Sequence, residues 1–279
     1  MAEIVPEIGT EEIVQRIKYD NLSAEEFYST WQACANYRDN VIQQKLQNIH
    51  QIFREWPEYK KADGYRLIDL DFGKMFANTR NFLCCKQEIL RLFLHLKKPG
   101  ILKDSSTKFV INSISEQHLE KDETQFIFKT LWCLHGYLYP TSKVFRKTNA
   151  GKKDTCRFTI EDSQESFTFV GQTLQELDNY IEFLKQRGES IQPLILVLSE
   201  TFFSKFDEFF LYLDDTKMRF TNFYRCVDVC FKSFHLFNVE YPTAISNFWT
   251  FIEAYFYNFS KSRGKTTPKI NILIQELEE

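Results

Sequence analysis

Asp69 and Asp71 stand two apart between apolar residues in Leu67-Ile68-Asp69-Leu70-Asp71-Phe72. Paired carboxylates can hold a metal ion or divide the roles of acid and base between them. The same alternation with apolar residues also fits a solvated edge or the cap of a following helix. Cys226 and Cys230, with His235 close behind, suggest a zinc site. Zinc needs about four ligands, and no second pair is placed to complete the set. The two thiols share a helical face with Phe223, Val227 and Phe234, so they are expected to be buried, reduced and metal-free. Gly264-Lys265-Thr266 matches the end of a phosphate-binding loop, but that loop needs a glycine five residues earlier, where Phe259 stands. His50, His95, His118, His135 and His235 lie in no nucleophile or metalloprotease signature. No catalytic, cofactor-binding or metal-ligating residue is therefore assigned.

The strongest charge constellation is Lys143, Arg146, Lys147, Lys152, Lys153 and Arg157, six basic residues opposed only by Asp154. Such a cluster can follow a phosphate backbone, and Tyr137, Tyr139, Phe145 and Phe158 flank it with rings on which bases could stack. A solvated loop has the same composition. The whole chain is nearly balanced, at −3, which argues against a protein built mainly to coat nucleic acid. Residues 101–155 carry 9 basic and 6 acidic groups, and the stretch after them is acidic, so any anion-facing part lies in the middle.

The elements that would position these residues follow from periodicity. Ser23-Ala24-Glu25-Glu26 is a capping box, and Phe27, Trp31, Cys34, Ala35, Ile42, Leu46, Ile49 and Phe53 then recur at helical spacing. This predicts one long helix over about 24–54, ended by Trp56-Pro57 and preceded by a short helix over about 11–18. A second helical region should run to Lys98, and another from Glu116 to His135, with Gly136 as its stop. Thr141 to Thr155 reads as a polar, basic loop. Beyond it the period changes. Phe167-Thr168-Phe169 alternates as a strand, Thr173-Leu174-Gln175-Glu176 opens a helix that Gly188 would end, and Leu194 to Leu198 reads as a strand buried on both faces. Strand, helix, strand in that order predicts a parallel crossover. Phe209–Leu213 and Lys217–Phe220 read as a hairpin, followed by two helices.

The expected fold is α+β: a helical N-terminal half, then a mixed sheet with a strand-helix-strand crossover and a hairpin packed by helices. The expected divisions are 1–100, a helical domain with one long helix; 101–155, a helical connector with a basic loop; and 156–279, an α/β domain. Trp56, Tyr59, Tyr65 and Phe72 supply more apolar surface than a free loop needs. The block they span is read as a packed connector, with Asp69 or Asp71 capping the next helix, and an exposed partner-binding edge is the rival reading.

The first ten residues have neither a basic start nor an apolar stretch, and no run of about 18 apolar residues occurs. Seven cysteines without framework spacing read as free thiols of a reducing compartment. The expectation is an intracellular protein, nuclear or cytoplasmic, with no membrane association.

Several blocks together carry a family resemblance. They are Trp56-Pro57-Glu58-Tyr59-Lys60, Gly64-Tyr65-Arg66-Leu67-Ile68-Asp69-Leu70-Asp71-Phe72, Ile191-Gln192-Pro193, Val227-Asp228-Val229-Cys230-Phe231-Lys232, Tyr241-Pro242 and Phe248-Trp249-Thr250-Phe251-Ile252. From about Ile13 to Tyr257 the chain resembles a multicopy, mobile-element-associated animal protein family found mainly in arthropods. Its motifs imply no assigned chemistry. Some relatives carry a Cys2His2 finger ahead of this region, and the chain has no such finger.

Two classes of function follow. The first is a non-enzymatic interaction or adaptor protein with protein partners, which the resemblance implies to be a mobile-element-derived regulator, or a nucleic-acid-associated regulator using the basic segment. The second is an enzyme of unrecognised type. Ligands in open α/β sheets bind beyond the carboxyl ends of the strands, which would put Gly171, Gln172, Ser199 and Glu200 near a crevice.

Overall fold

The computed structural model describes residues 9–44, 48–147, 153–187, 193–201, 205–259 and 266–279. The N-terminal half is helical: α1 (Thr10–Tyr19), α2 (Ala24–Ala33), α3 (Ala35–Gln44), α4 (Ile49–Glu55), a 3-10 turn at Pro57–Lys60, α5 (Tyr65–Met75), a 3-10 turn at Phe82–Cys84, α6 (Lys86–Lys97), α7 (Ser105–Asn112), α8 (His118–Lys121) and α9 (Glu123–Tyr137). A hairpin of β1 (Lys143–Lys147) and β2 (Lys153–Arg157) follows, then α10 (Ile160–Phe167), β3 (Thr168–Gly171), α11 (Leu174–Gln186), β4 (Leu194–Thr201), β5 (Lys205–Leu213) and β6 (Thr216–Phe220). The chain continues through α12 (Phe223–Leu236), a 3-10 turn at Thr243–Ile245, α13 (Ser246–Phe251), a π-helical turn (Ile252–Phe256) and α14 (Pro268–Glu278). The protein is α+β, helical in its first half and mixed in its second.

The sheet order is β3-β4-β5-β6, with β3 parallel to β4 and the remaining pairs antiparallel. α11 makes the crossover between the parallel strands. Ile195 and Val197 of β4 face the main core, while Leu194 and Leu196 face α11 through Leu177 and Ile181. Both sets are buried, which explains the unbroken apolar run in the sequence. The β5–β6 turn has Asp214 and Asp215 at φ 40 and 60, the pair of left-handed residues that a tight two-residue hairpin uses. Lys60 holds Asp214 at 3.1 Å, and Lys185 holds Asp215 at 2.9 Å. One apolar core takes residues from Ile17 to Leu277, drawing on the N-terminal helices, the 101–155 stretch and the sheet alike. Trp56 and Tyr59 are fully buried, Phe72 is 3% exposed, and Tyr65 is half-buried against Phe220.

Several expected boundaries are corrected. The single helix expected over 24–54 is three helices. The chain turns at Cys34 (φ −98, ψ 11), and the Arg38 guanidinium accounts for the break by donating to the Trp31 carbonyl at 3.0 Å. Asn48 caps α4 by accepting from the Gln51 amide. Residues 45–47 lie outside the described residues. Asp69 and Asp71 cap nothing, because both lie inside α5, whose N-cap is Gly64. The expected 116–135 helix is interrupted at Asp122, whose carboxylate caps α9. Gly136 is not a stop but lies within α9, where an added Cβ would meet the Thr107 side chain at 2.7 Å. The basic loop is a two-stranded hairpin. Ser23 and Glu26 form their capping box; of the second box expected at Thr173–Glu176 one half forms, with the Thr173 hydroxyl accepting from the Glu176 amide, while the Glu176 carboxylate accepts from the Gln172 backbone amide rather than that of Thr173. Gly188 lies outside the described residues, as do Gly264 and Lys265.

Candidate functional site

α3 and α5 form the walls of a pocket of about 140 Å³, closed by Tyr59 and Leu236. Ala35, Arg38 and Ile42 recur at helical spacing on α3, with Asp39 on the flank, and Asp71, Lys74 and Met75 come from α5. Gly64 brings Tyr59 into place. A Cβ at Gly64 would lie 2.1 Å from the Tyr59 carbonyl oxygen, so the close passage of the two segments requires glycine.

The floor of this pocket is a buried ion pair. Arg38 and Asp71 are 1% and 7% exposed at their side chains, and two guanidinium nitrogens engage both carboxylate oxygens. Asp71 Oδ2 also accepts from the Tyr59 hydroxyl at 2.5 Å and from Trp31 Nε1 at 3.1 Å. The guanidinium lies over the Trp31 ring at 3.8 Å. Burial opposes the charge on Arg38, but Tyr59 and Asp71 outweigh it and raise its affinity for the proton. Burial pushes Tyr59 well above the usual phenol range, so it remains a donor. Four donor atoms meet the carboxylate, three of them at Oδ2 and one at Oδ1. Asp71 is thus neutralised by Arg38 and tied to three neighbouring side chains. Asp39 is the remaining carboxyl on the pocket wall. One of its oxygens is buried without a hydrogen-bond partner, and burial, with Asp71 nearby, raises its proton affinity.

Asp69 belongs to a different cluster. Residues two apart on a helix point about 200° away from each other, so Asp69 faces α12. There it pairs with Arg225 and, at 2.8 Å, with Lys232. Asp228, fully buried, accepts from Arg225 at 2.5 Å, Lys232 at 2.7 Å and the Tyr257 hydroxyl at 2.7 Å. Burial lowers the proton affinity of Lys232, against the pull of Asp228. Two cations and two carboxylates balance. The two aspartates therefore share no site, which removes the paired-carboxylate reading.

Cys226 and Cys230 are fully buried with proton affinity raised by burial, and His235 instead meets the Tyr241 hydroxyl at 2.7 Å. Tyr241 in turn donates to the buried Glu253 at 3.1 Å, on the π-helical turn. His135 meets Ser163 at 2.8 Å and stacks on Phe248; burial pushes its pKa down to about 3, and neither side chain of this Ser–His pair reaches solvent. Among the described residues, no group of three metal-ligating side chains stands close enough to hold an ion. At the ends of the parallel strands, the Gln172 amide bonds to Glu176 and the Ser199 hydroxyl to the Thr201 carbonyl. Glu200 is exposed beside them.

Of the basic residues, Lys143 and Arg157 are exposed and directly opposite each other, and Arg146, Lys147 and Lys153 occupy strand positions. Lys152 lies outside the described residues. Sequence reasoning missed Arg38, Asp39, Arg225, Lys232, Tyr241 and Glu253. A signal existed for some of them. Arg38 interrupts the stripe Trp31, Cys34, Ala35, Ile42, and Arg225, Asp228, Lys232 and His235 recur at 3, 4 and 3 residues along an otherwise apolar helix.

No family model, curated protein or solved structure matches the chain. No helix among the described residues is long and apolar enough to cross a membrane.

Proposed function

We propose that this protein is a non-enzymatic interaction or adaptor protein of the cell interior, derived from a mobile element, with protein partners. The observation that carries this reading is the neutralisation of Asp71 within the core. The carboxylate best placed for acid–base work in the pocket accepts from Arg38, Trp31 and Tyr59. The neighbouring cluster is likewise closed on itself in charge. Groups arranged this way hold helices in register rather than turn over a substrate. Large apolar side chains at the surface, above all Phe109 on α7 at 78% exposed, are of the kind that anchors partners.

The test is affinity capture from native cells with nuclease treatment, followed by mass spectrometry. The expected result is a discrete protein set that survives nuclease and is depleted by Phe109→Asp, a surface change that leaves the melt unaltered. The reading is overturned if no protein is retained. Turnover of a small molecule by the pure protein, abolished by Asp39→Asn, would instead favour the enzyme.

A further inference from the structure

The register of the β1–β2 hairpin gathers charge in a way the linear sequence hides. Lys143 stands opposite Arg157, Phe145 opposite Thr155, and Lys147 opposite Lys153. Directly opposed residues share a face of the ribbon, as do residues two apart on one strand. One face therefore holds the positions of four of the six basic residues, arranged as two cationic rungs with Phe145 and Thr155 between them. The other face holds Val144 opposite Cys156 and Arg146 opposite Asp154, so the acidic residue of the segment stands on the far side.

This arrangement carries two handicaps. Like charges directly opposite each other destabilise a ribbon, and an isolated two-stranded hairpin is marginal in water. The hairpin pairs with no further strand among the described residues. At the first rung both Lys143 and Arg157 are exposed, and neither has an ion-pair partner among the described residues. An anion supplied from outside would relieve both handicaps at once. The rungs are four residues apart, roughly 14 Å along an extended strand. A single phosphate or carboxylate cannot meet both, whereas a polyanion with repeating charges can. The position between the rungs is aromatic, and an aromatic ring there meets a base only where the bases are not already stacked in a duplex.

We propose that the Lys143–Lys147/Lys153–Arg157 face is a contact surface for single-stranded nucleic acid. The two rungs hold backbone phosphates, and a base stacks at the Phe145 position between them. The contact is independent of sequence, since phosphates carry no base information. This goes beyond the interaction reading, which concerns protein partners, and stands independently of it.

The test uses the full chain and a fluorescently labelled 15-nucleotide oligothymidylate, with anisotropy followed across roughly 50–300 mM NaCl. Four phosphate contacts on a single strand predict a slope of log K against log salt of about −3. Lys143→Gln with Arg157→Gln removes one rung at exposed positions. It should roughly halve that slope and weaken binding about tenfold or more at 50 mM NaCl, with an unchanged thermal melt confirming that the variant folds. The proposal is overturned if wild type shows no binding at 50 mM NaCl. It is also overturned if the double variant binds as wild type does, or if a duplex of equal length competes better than the single strand. Loss of the nucleic-acid contact with the nuclease-resistant protein partners still captured would sink this proposal and leave the interaction reading standing; loss of those partners would sink that reading instead.

Discussion

Asp69 and Asp71 sit two residues apart on α5, and each joins a charge cluster to a second helix, yet the two clusters differ in access to water. The Arg38–Asp71 pair is nearly dry, at 1% and 7% side-chain exposure. In the α5–α12 cluster Arg225 and Asp69 keep 24% and 27% of their side-chain surface, while Lys232 keeps 14% and Asp228 none. In the dry cluster, desolvation is offset by a bidentate pair and two further donors, so the arrangement tolerates no missing member. In the wetter one, water screens the Arg225–Asp69 edge and can replace a partner lost there, while Asp228 stays dry. Helix geometry alone assigns the two carboxylates to these settings. The partners gathered around a carboxylate therefore say more about its role than its spacing from a neighbour.

The sharpest way to break this comparison is to remove one side of the dry pair. Arg38→Met should cost about 3–5 kcal/mol, because Asp71 is left charged, buried and short of donors. The double change Arg38→Met with Asp71→Leu should recover most of the loss. Urea denaturation checks both, and a double variant as unstable as the single one would refute the unpaired-charge explanation. Trp56→Ala probes the apolar wall beside that pair, since Trp56 packs edge-on against Trp31 at 5.8 Å. A loss of about 3–5 kcal/mol is expected from the cavity, and a thermal melt that overlays wild type would show Trp56 to be an interface residue instead.

Smaller effects are expected on the wetter side. Lys232→Met should cost roughly 1–2 kcal/mol, since Arg225 still serves both carboxylates. Salt near 0.5 M should shrink the part of that cost that comes from the Lys232–Asp69 pair and leave the cost of Arg38→Met unchanged, because only charges in reach of water are well screened. Equal salt dependence in the two variants would erase the distinction drawn here.

The smallest effect concerns Asp39, half-exposed at the mouth of the dry site. Its carboxyl takes up a proton more readily in the folded state than in the unfolded one, through burial and then Asp71. A carboxyl raised in this way gains stability for the fold as pH falls through its folded pKa. At pH 7 its charge is a burden. Asp39→Asn should therefore stabilise by a few tenths of a kcal/mol at pH 7 after screening, and the gain should vanish toward pH 4. A gain that grows on acidification would have the wrong sign.

The pattern of types was enough for the α+β class, the crossover strands and the β5–β6 hairpin, because those rest on period-two alternation and on an apolar run with polar turns. Element boundaries in the helical half were not legible. The stripe from Phe27 to Phe53 keeps its period across Cys34, and the break there depends on a guanidinium capturing a carbonyl, an event settled by Asp71 from another helix. The β1–β2 strands escaped notice because neither alternates apolar with polar residues along its length. The site was half visible. Asp69 and Asp71 stood out, but their partners Arg38, Arg225 and Lys232 lie 33, 156 and 163 residues away from them. Nothing local announces such pairings.

Gly64 deserves a different kind of consideration. Its φ of −55 is open to every residue type, so the backbone makes no demand for glycine. The demand is for vacancy, since the carbonyl of Tyr59 occupies the place of a side chain's first carbon. All other residue types share that carbon. A saturation scan at this position would show a flat profile in which alanine fails as badly as tryptophan. The same displacement would swing the Tyr59 hydroxyl off Asp71, so one missing atom in the connector keeps a charge balanced on the far side of the ring.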